Sequence, residues 1–241
     1  MSRFARAAGM ALSAFAMAAA NGRASREDEP GEPQPLDTLR DFDAVTLAGP
    51  DELFVREGDD WSVAVEGDPE AIALLEIYVR DQMLHVGRRR QLSWLQSDEG
   101  ASVRVTMPVL RRVSLAGSGD LRAEGMSGDS LDATLAGSGD LILSGINARA
   151  IRISVAGSGM VTASGTVQES RVSIAGSGDV CAERLVAERA KVSVAGSGDA
   201  TVHASESAKV SLVGSGSVSV RGTDDCRVSK IGSGDVHCCA T

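Results

Sequence analysis

The sequence predicts an all-β chain folded as a single-stranded parallel β-helix, a solenoid with coils of about 18–20 residues. Two observations carry that reading. The triplet Gly-Ser-Gly begins at Gly117, Gly137, Gly157, Gly176, Gly196, Gly214 and Gly232, in steps of 20, 20, 19, 20, 18 and 18 residues. The residues around each triplet also alternate between apolar and polar, which marks a strand with one buried face. Four before the first Gly stand Val113, Ala133, Ile153, Val172, Val192, Val210 and Val228, and two before it Leu115, Leu135, Val155, Ile174, Val194, Leu212 and Lys230. Between them run Ser114, Thr134, Ser154, Ser173, Ser193, Ser211 and Ser229. After the triplet, Leu121, Leu141, Val161, Val180, Ala200, Val218 and Val236 resume the apolar face. A strand, a corner and a return within about 20 residues is too short for a crossover helix unit, which needs roughly 30. It suits one coil of a solenoid, seven coils in all, with glycine at the corner for its tolerance of positive φ. The general bias of parallel β crossovers makes the expected hand right-handed.

In chain order, residues 1–20 read as a secretory signal peptide. Arg3 and Arg6 precede an apolar stretch over 7–20 that ends in Ala18-Ala19-Ala20. That stretch is too short for an ordinary membrane span, so no transmembrane segment is expected after its removal. Residues 21–37 are charged and contain three prolines, Pro30, Pro33 and Pro35, and read as a linker. Residues 38–110 read as irregular N-terminal coils. Val45-Thr46-Leu47-Ala48-Gly49 matches Val113-Ser114-Leu115-Ala116-Gly117, with Pro50-Asp51 in place of Ser-Gly. Strands are predicted at 43–48, 52–56, 61–66, 76–79, 83–87 and 102–107. One short helix follows Asp68 as N-cap and Pro69 as first helical residue, and would cover an end of the core. Residues 111–241 carry the regular repeats. Lys230 enters an inward column otherwise filled by Leu, Ile and Val, so the core should meet solvent there.

An exported chain can keep disulfides. Cys226 lies six before Gly232 and Cys238 six after it, both in inward register, so a Cys226–Cys238 bond is predicted to close the last coil. Cys181 falls on an outward column with Ile142, Thr162 and Thr201; the sequence assigns no partner to it or to Cys239.

The formal net charge is −9, which argues against nucleic acid as a partner. Arg88-Arg89-Arg90, with Trp94 and then Arg111-Arg112, is a candidate patch for an anionic sugar or lipid, read against the plainer alternative of a solvated loop. The residue after each triplet is Asp120, Asp140, Met160, Asp179, Asp199, Ser217 and Asp235. Stacked carboxylates repel by about 1 kcal/mol per pair in water. Backbone N–H groups of the turns can offset that; a Ca²⁺ ladder on Asp120, Asp140, Asp179, Asp199 and Asp235 is the sharper alternative. Calcium-binding β-rolls place their Asp differently and repeat at about half this period, so the spacing does not match. Phosphate loops need a helix after the glycines, and here a strand follows. No catalytic or cofactor-binding residue is expected: His85, His203 and His237 have no recognisable catalytic neighbours, and the triplet serines show no base. A flat hydroxyl column could order water as ice-binding solenoids do, but serine dominates it.

The run Arg104-Val105-Thr106-Met107-Pro108 to Ala116-Gly117-Ser118-Gly119-Asp120 resembles the bacterial GIN-domain family of autotransporter-adhesin head domains. Phe42-Asp43-Ala44-Val45 and the stretch from Asp225-Cys226 to His237-Cys238 resemble it too, so the likeness covers about 38–239. It implies a right-handed β-helix exported from the cell, and brings no functional residues with it. A self-exporting autotransporter would carry a C-terminal membrane barrel; none follows here before Thr241, so other machinery or a periplasmic residence is expected. The function expected is therefore an exported, non-enzymatic, adhesin-like structural or binding module in the periplasm or at the cell surface. Its partner would be a surface polysaccharide or an envelope protein. The alternative is a carbohydrate-binding or carbohydrate-active β-helix.

Overall fold

A computed structural model describes residues 35–89 and 100–240; the signal-peptide reading, most of the linker, Arg90 and Trp94 lie outside the described residues. The described chain is nearly all strand and forms a β-solenoid of about six turns. Seven triplets bound six full intervals, so the count of seven coils is reduced by one. The strands are β1 (Ala44–Gly49), β2 (Glu52–Glu57), β3 (Ser62–Gly67), β4 (Leu75–Arg80), β5 (Met83–Arg88), β6 (Ala101–Met107), β7 (Arg112–Gly117) and β8 (Asp120–Glu124). The regular coils follow as β9 (Ser127–Gly137), β10 (Asp140–Gly157), β11 (Met160–Gly176), β12 (Asp179–Gly196) and β13 (Ala200–Gly214). The last pieces are β14 (Ser217–Arg221), β15 (Cys226–Gly232) and β16 (Asp235–Cys239).

The repeat alignment is the hydrogen-bonded register. Leu115 pairs with Leu135, Leu135 with Val155, Val155 with Ile174, Ile174 with Val194, Val194 with Leu212 and Leu212 with Lys230, all in parallel strands. These side chains, Lys230 apart, are buried, as are Leu121, Leu141, Val161, Val180 and Ala200 after the corners. Each fully buried Leu, Ile or Val stabilises the fold by roughly 1.5–3 kcal/mol, so the aliphatic columns are the main stabilising term. Small and branched aliphatic side chains fill most of this narrow interior, in keeping with an aromatic content of 3 %.

The corner explains its glycines. Gly137 has φ 142°, and a Cβ there would strike the carbonyl oxygen of Gly117 in the coil beside it. That oxygen already accepts the Ser138 N–H at 2.9 Å, and the same bond recurs from Ser158 N–H to the Gly137 oxygen and from Ser177 N–H to the Gly157 oxygen. Coils are stitched through their corners as well as their strands.

The N-terminal part departs from simple stacking. β1 pairs with β7 in the predicted register, Val45 with Val113 and Gly49 with Gly117. On its other edge β1 pairs in parallel with β5, and β2 likewise with β6. The coil made by β5 and β6 therefore lies outside the coil made by β1 and β2, although it comes later in the chain. The next layer runs the other way: β4 is antiparallel to β5, and β3 antiparallel to β6. Asp81 and Gln82, with φ of 51° and 61°, make the two-residue β4–β5 turn. Between β3 and β4 lies the predicted helix, α1 (Pro69–Leu74), with the Asp68 carboxylate accepting the N–H groups of Glu70 and Ala71. Its Ala71 and Leu74 are buried.

At the other end, β15 is exposed along nearly its whole length. Lys230 lies here as predicted and donates from Nζ to the Gly234 carbonyl at 2.7 Å. The predicted disulfide joins Cys226 to Cys238, with Cα atoms 6.6 Å apart.

Candidate functional site

Repetition turns every outward position into a column of side chains, so candidate sites are lines along the solenoid. The Asp column after the triplets is interrupted by Met160 and Ser217, which pair in register with Asp140 and Asp235. Three of its five carboxylates accept backbone N–H groups of the next coil. Asp179 accepts the Asp199 N–H at 2.9 Å, Asp199 the Ser217 N–H at 2.7 Å, and Asp120 the Asp140 N–H at 3.3 Å. Turn N–H groups therefore compensate the stacked charge, donated by the neighbouring coil. Calcium takes six to eight oxygens, whereas this column brings carboxylates together only in adjacent pairs. Among the described residues no group of three or more His, Cys, Asp or Glu is placed to hold a metal ion.

Of the candidate arginine patch, Arg88, Arg89, Arg111 and Arg112 are described, and Arg88 is held by a carboxylate of the protein itself. Arg88 turns inward and donates from Nε and Nη2 to the two carboxylate oxygens of Asp51, at 2.9 and 2.8 Å. Asp51 is fully buried, and its Oδ1 also accepts the Ala101 N–H at 2.9 Å. This ion pair, which raises the Arg88 pKa chiefly through the side-chain hydrogen bond, is a structural plug. The sequence reading missed it, although an Asp in the place of a corner glycine was its signal. Arg111 lies 3.5 Å from Asp43. Glu57 is a second corner pin: its Oε1 accepts the N–H of Leu110 and of Ser127, both at 3.1 Å.

The three histidines are scattered. The His85 ring stacks on Tyr78 with centroids 4.8 Å apart, and its pKa is lowered by burial and then by the Arg80 charge. His203 pairs with Arg221 on the next coil, and His237 with Ser219. Cys181 sits between Thr162 and Thr201 on the outward column, as predicted. It and Cys239 are free thiols, and burial, Asp179 and Glu183 raise the Cys181 pKa.

A further outward column lies one position before the apolar residue that opens each repeat. The fifth residue before the triplet is Arg112, Asp132, Arg152, Arg171, Lys191, Lys209 and Arg227. These are register partners in unbroken succession, from Arg112–Asp132 through to Lys209–Arg227. The six cations are exposed. Beside them on the same outer face run the Ser/Thr column and an apolar one, Ala116, Ala136, Ala156, Ala175, Ala195, Val213 and Ile231.

Fold and surface together define a class: a parallel β-solenoid with corners sealed by glycine and outer faces that carry unbroken side-chain columns. The chain belongs to the family described as "Putative auto-transporter adhesin, head GIN domain", whose model matches residues 41–224. Solved structures share the fold. A putative adhesin from Bacteroides fragilis NCTC 9343 is similar with a TM-score of 0.74 and 23 % identity, over 83 % of this chain and 94 % of that one. A putative lipid binding protein from Parabacteroides distasonis ATCC 8503 gives 0.65 and 22 %, over 83 % and 94 %. A putative adhesin from Parabacteroides merdae ATCC 43184 gives 0.64 and 19 %, over 83 % and 93 %. No curated protein matches in sequence.

Proposed function

We propose that this chain is an exported, non-enzymatic β-solenoid that presents its surface columns to a partner in the cell envelope or at the cell surface, as an adhesin-like module. The observation that carries the reading is the equivalence of the coils. Catalysis needs unlike groups converging on one point, whereas here like side chains recur coil after coil in register. The family description and the adhesin-like structural neighbours support the same role. The Cys226–Cys238 bond supports residence in an oxidising compartment. Lipid binding, the description of one neighbour, would have to use an outer face in this chain, because its own aliphatic side chains fill the interior.

The test is fractionation of cells making the full chain, followed by cross-linking and capture of what it touches. Recovery in the periplasmic or surface fraction with an envelope component attached is the expected result. Retention in the cytoplasm with reduced cysteines would overturn the reading.

A further inference from the structure

We propose that the basic column is a docking line for a linear acidic polysaccharide, a polyuronate lying along the stacking axis with about one carboxylate per coil. The inference rests on the function proposed above and names its ligand class.

Register is the first support. Arg152, Arg171, Lys191, Lys209 and Arg227 are consecutive hydrogen-bonded partners, with Arg112 beyond Asp132 at the other end. Neighbouring strands lie about 4.8 Å apart, so five cations stand in a row about 19 Å long. One hexuronate ring is close to that strand spacing in length and brings one carboxylate. A polymer of equivalent charges thus meets a lattice of equivalent counter-charges.

Charge is the second. The chain is acidic overall, at −9, yet this line gathers six cations and one anion. The line is self-repelling, and only part of it is neutralised within the protein. Arg152 lies 3.7 Å from Asp132, and Arg171 is 2.9 Å from Glu169, which also faces Arg189. Lys191, Lys209 and Arg227 have no ion pair with the described residues, and all three are exposed. Three adjacent coils therefore offer unpaired positive charge in one line.

The neighbouring columns are the third. Two residues along each strand, about 7 Å away, stand the hydroxyls of Ser154, Ser173, Ser193, Ser211 and Ser229. Beyond them come the methyls of Ala156, Ala175 and Ala195, then Val213 and Ile231, exposed to 49 % and 56 %. Cation, hydroxyl and methyl in parallel suit a sugar chain, which offers carboxylate, hydroxyl and C–H faces. Binding of single-stranded nucleic acid relies on aromatic platforms for the bases, and these columns hold none.

The test uses the full chain with its disulfide intact and immobilised polygalacturonate, with neutral dextran, polyphosphate and single-stranded DNA as comparison polymers. The wild type should bind polygalacturonate, ignore dextran, and weaken as salt is raised, because exposed charges are screened over about 10 Å at 0.1 M. The triple variant Lys191→Gln, Lys209→Gln, Arg227→Gln should lose about tenfold or more in affinity, the equivalent of one 1.4 kcal/mol step. Arg40→Gln, Arg184→Gln, Arg221→Gln removes the same charge from exposed positions off the column, and should stay within about twofold. Circular dichroism confirms that both variants are folded. Absence of wild-type binding, equal losses in the two variants, or equal affinity for polyphosphate or DNA would each overturn the proposal. Any of these results together with envelope recovery of the native chain would remove the ligand class and leave the adhesin-like role standing.

Discussion

The carboxylate of Asp51 and the guanidinium of Arg88 meet in a two-pronged ion pair, at 2.9 and 2.8 Å, inside the corner between the first two strands. Elsewhere that corner position is a glycine against which the next coil packs, as Gly119 packs on the Asp51 backbone. Here the side chain reaches across to Arg88 and to the Ala101 N–H, and so joins the coil of β1 and β2 to the coil of β5 and β6. Removing either partner breaks a buried ion pair, which costs about 3–5 kcal/mol. Asp51→Ala and Arg88→Ala should each lower stability by that order in denaturant unfolding. The double variant should lose clearly less than the sum, because the two share one interaction. Additive losses would mean that the pair does not couple the coils.

Leu135 is the test of the core register. It is fully buried between Leu115 and Val155 in the strands on either side. Leu135→Asp places a charge without a partner among aliphatic columns, and the whole domain should fail to fold or unfold cooperatively. Asp140→Asn, on the outer column, should shift stability by less than about 0.5 kcal/mol. Thermal unfolding followed by circular dichroism separates the two cases.

The regular coils and the disulfide were legible because period and alternation place each residue by arithmetic. Val113, Leu115 and Ser114 each predicted a whole column, and every one is a register ladder. The strands predicted between residues 43 and 107 and the helix among them were legible, the helix because Asp68-Pro69 is a local signal. Their stacking order was not. Only β1 keeps the repeat, and nothing in residues 75–107 says that β5 and β6 add to the outer edge of β1 and β2. The Asp51–Arg88 pair was hidden for the same reason, because its partners are 37 residues apart and no repeat relates them. The basic column is visible in the sequence too, five residues before each triplet, but its one Asp and its mixture of Arg and Lys make it less regular than the apolar columns.

Corner glycines should differ sharply by location. Gly137 and Gly128 share the same φ of 142°. A Cβ at Gly137 meets the Gly117 backbone, whereas one at Gly128 has nothing within 4 Å. Gly128→Ala should cost only the backbone strain, about 1–2 kcal/mol. Gly137→Ala adds a collision with fixed backbone and should cost well beyond that, with soluble yield falling. Equal midpoints in urea for the two variants would contradict the corner packing.

The β4–β5 hairpin should weaken in mild acid. Burial, then the Arg80 charge, hold the His85 pKa below its ordinary 6.5, with Asp81 opposing. The folded state therefore prefers the neutral ring. Above pH 6.5 the ring is neutral in both states and its contribution to stability is complete. As pH falls through 6.5 the unfolded chain binds the proton first, and stability drops until the lower folded pKa is passed. His85→Phe, which keeps the stack on Tyr78, should flatten this part of the pH profile of Tm. An unchanged profile would show that another group sets it.

The last coil depends on its covalent closure. β15 is exposed along nearly its whole length, so hydrophobic burial alone holds it weakly. Cys226 and Cys238 are 12 residues apart, and closing a loop of that size is worth about 2–3 kcal/mol in chain entropy. Removing the bond with Cys226→Ala and Cys238→Ala should leave the buried columns from β9 to β13 intact, because each of those coils is hydrogen-bonded on both sides. The loss should appear instead as local opening. Hydrogen exchange in β15 and β16 should accelerate while Val155, Ile174 and Val194 keep their protection. Loss of protection throughout would show that the C-terminal coil anchors the whole stack and does more than seal its end.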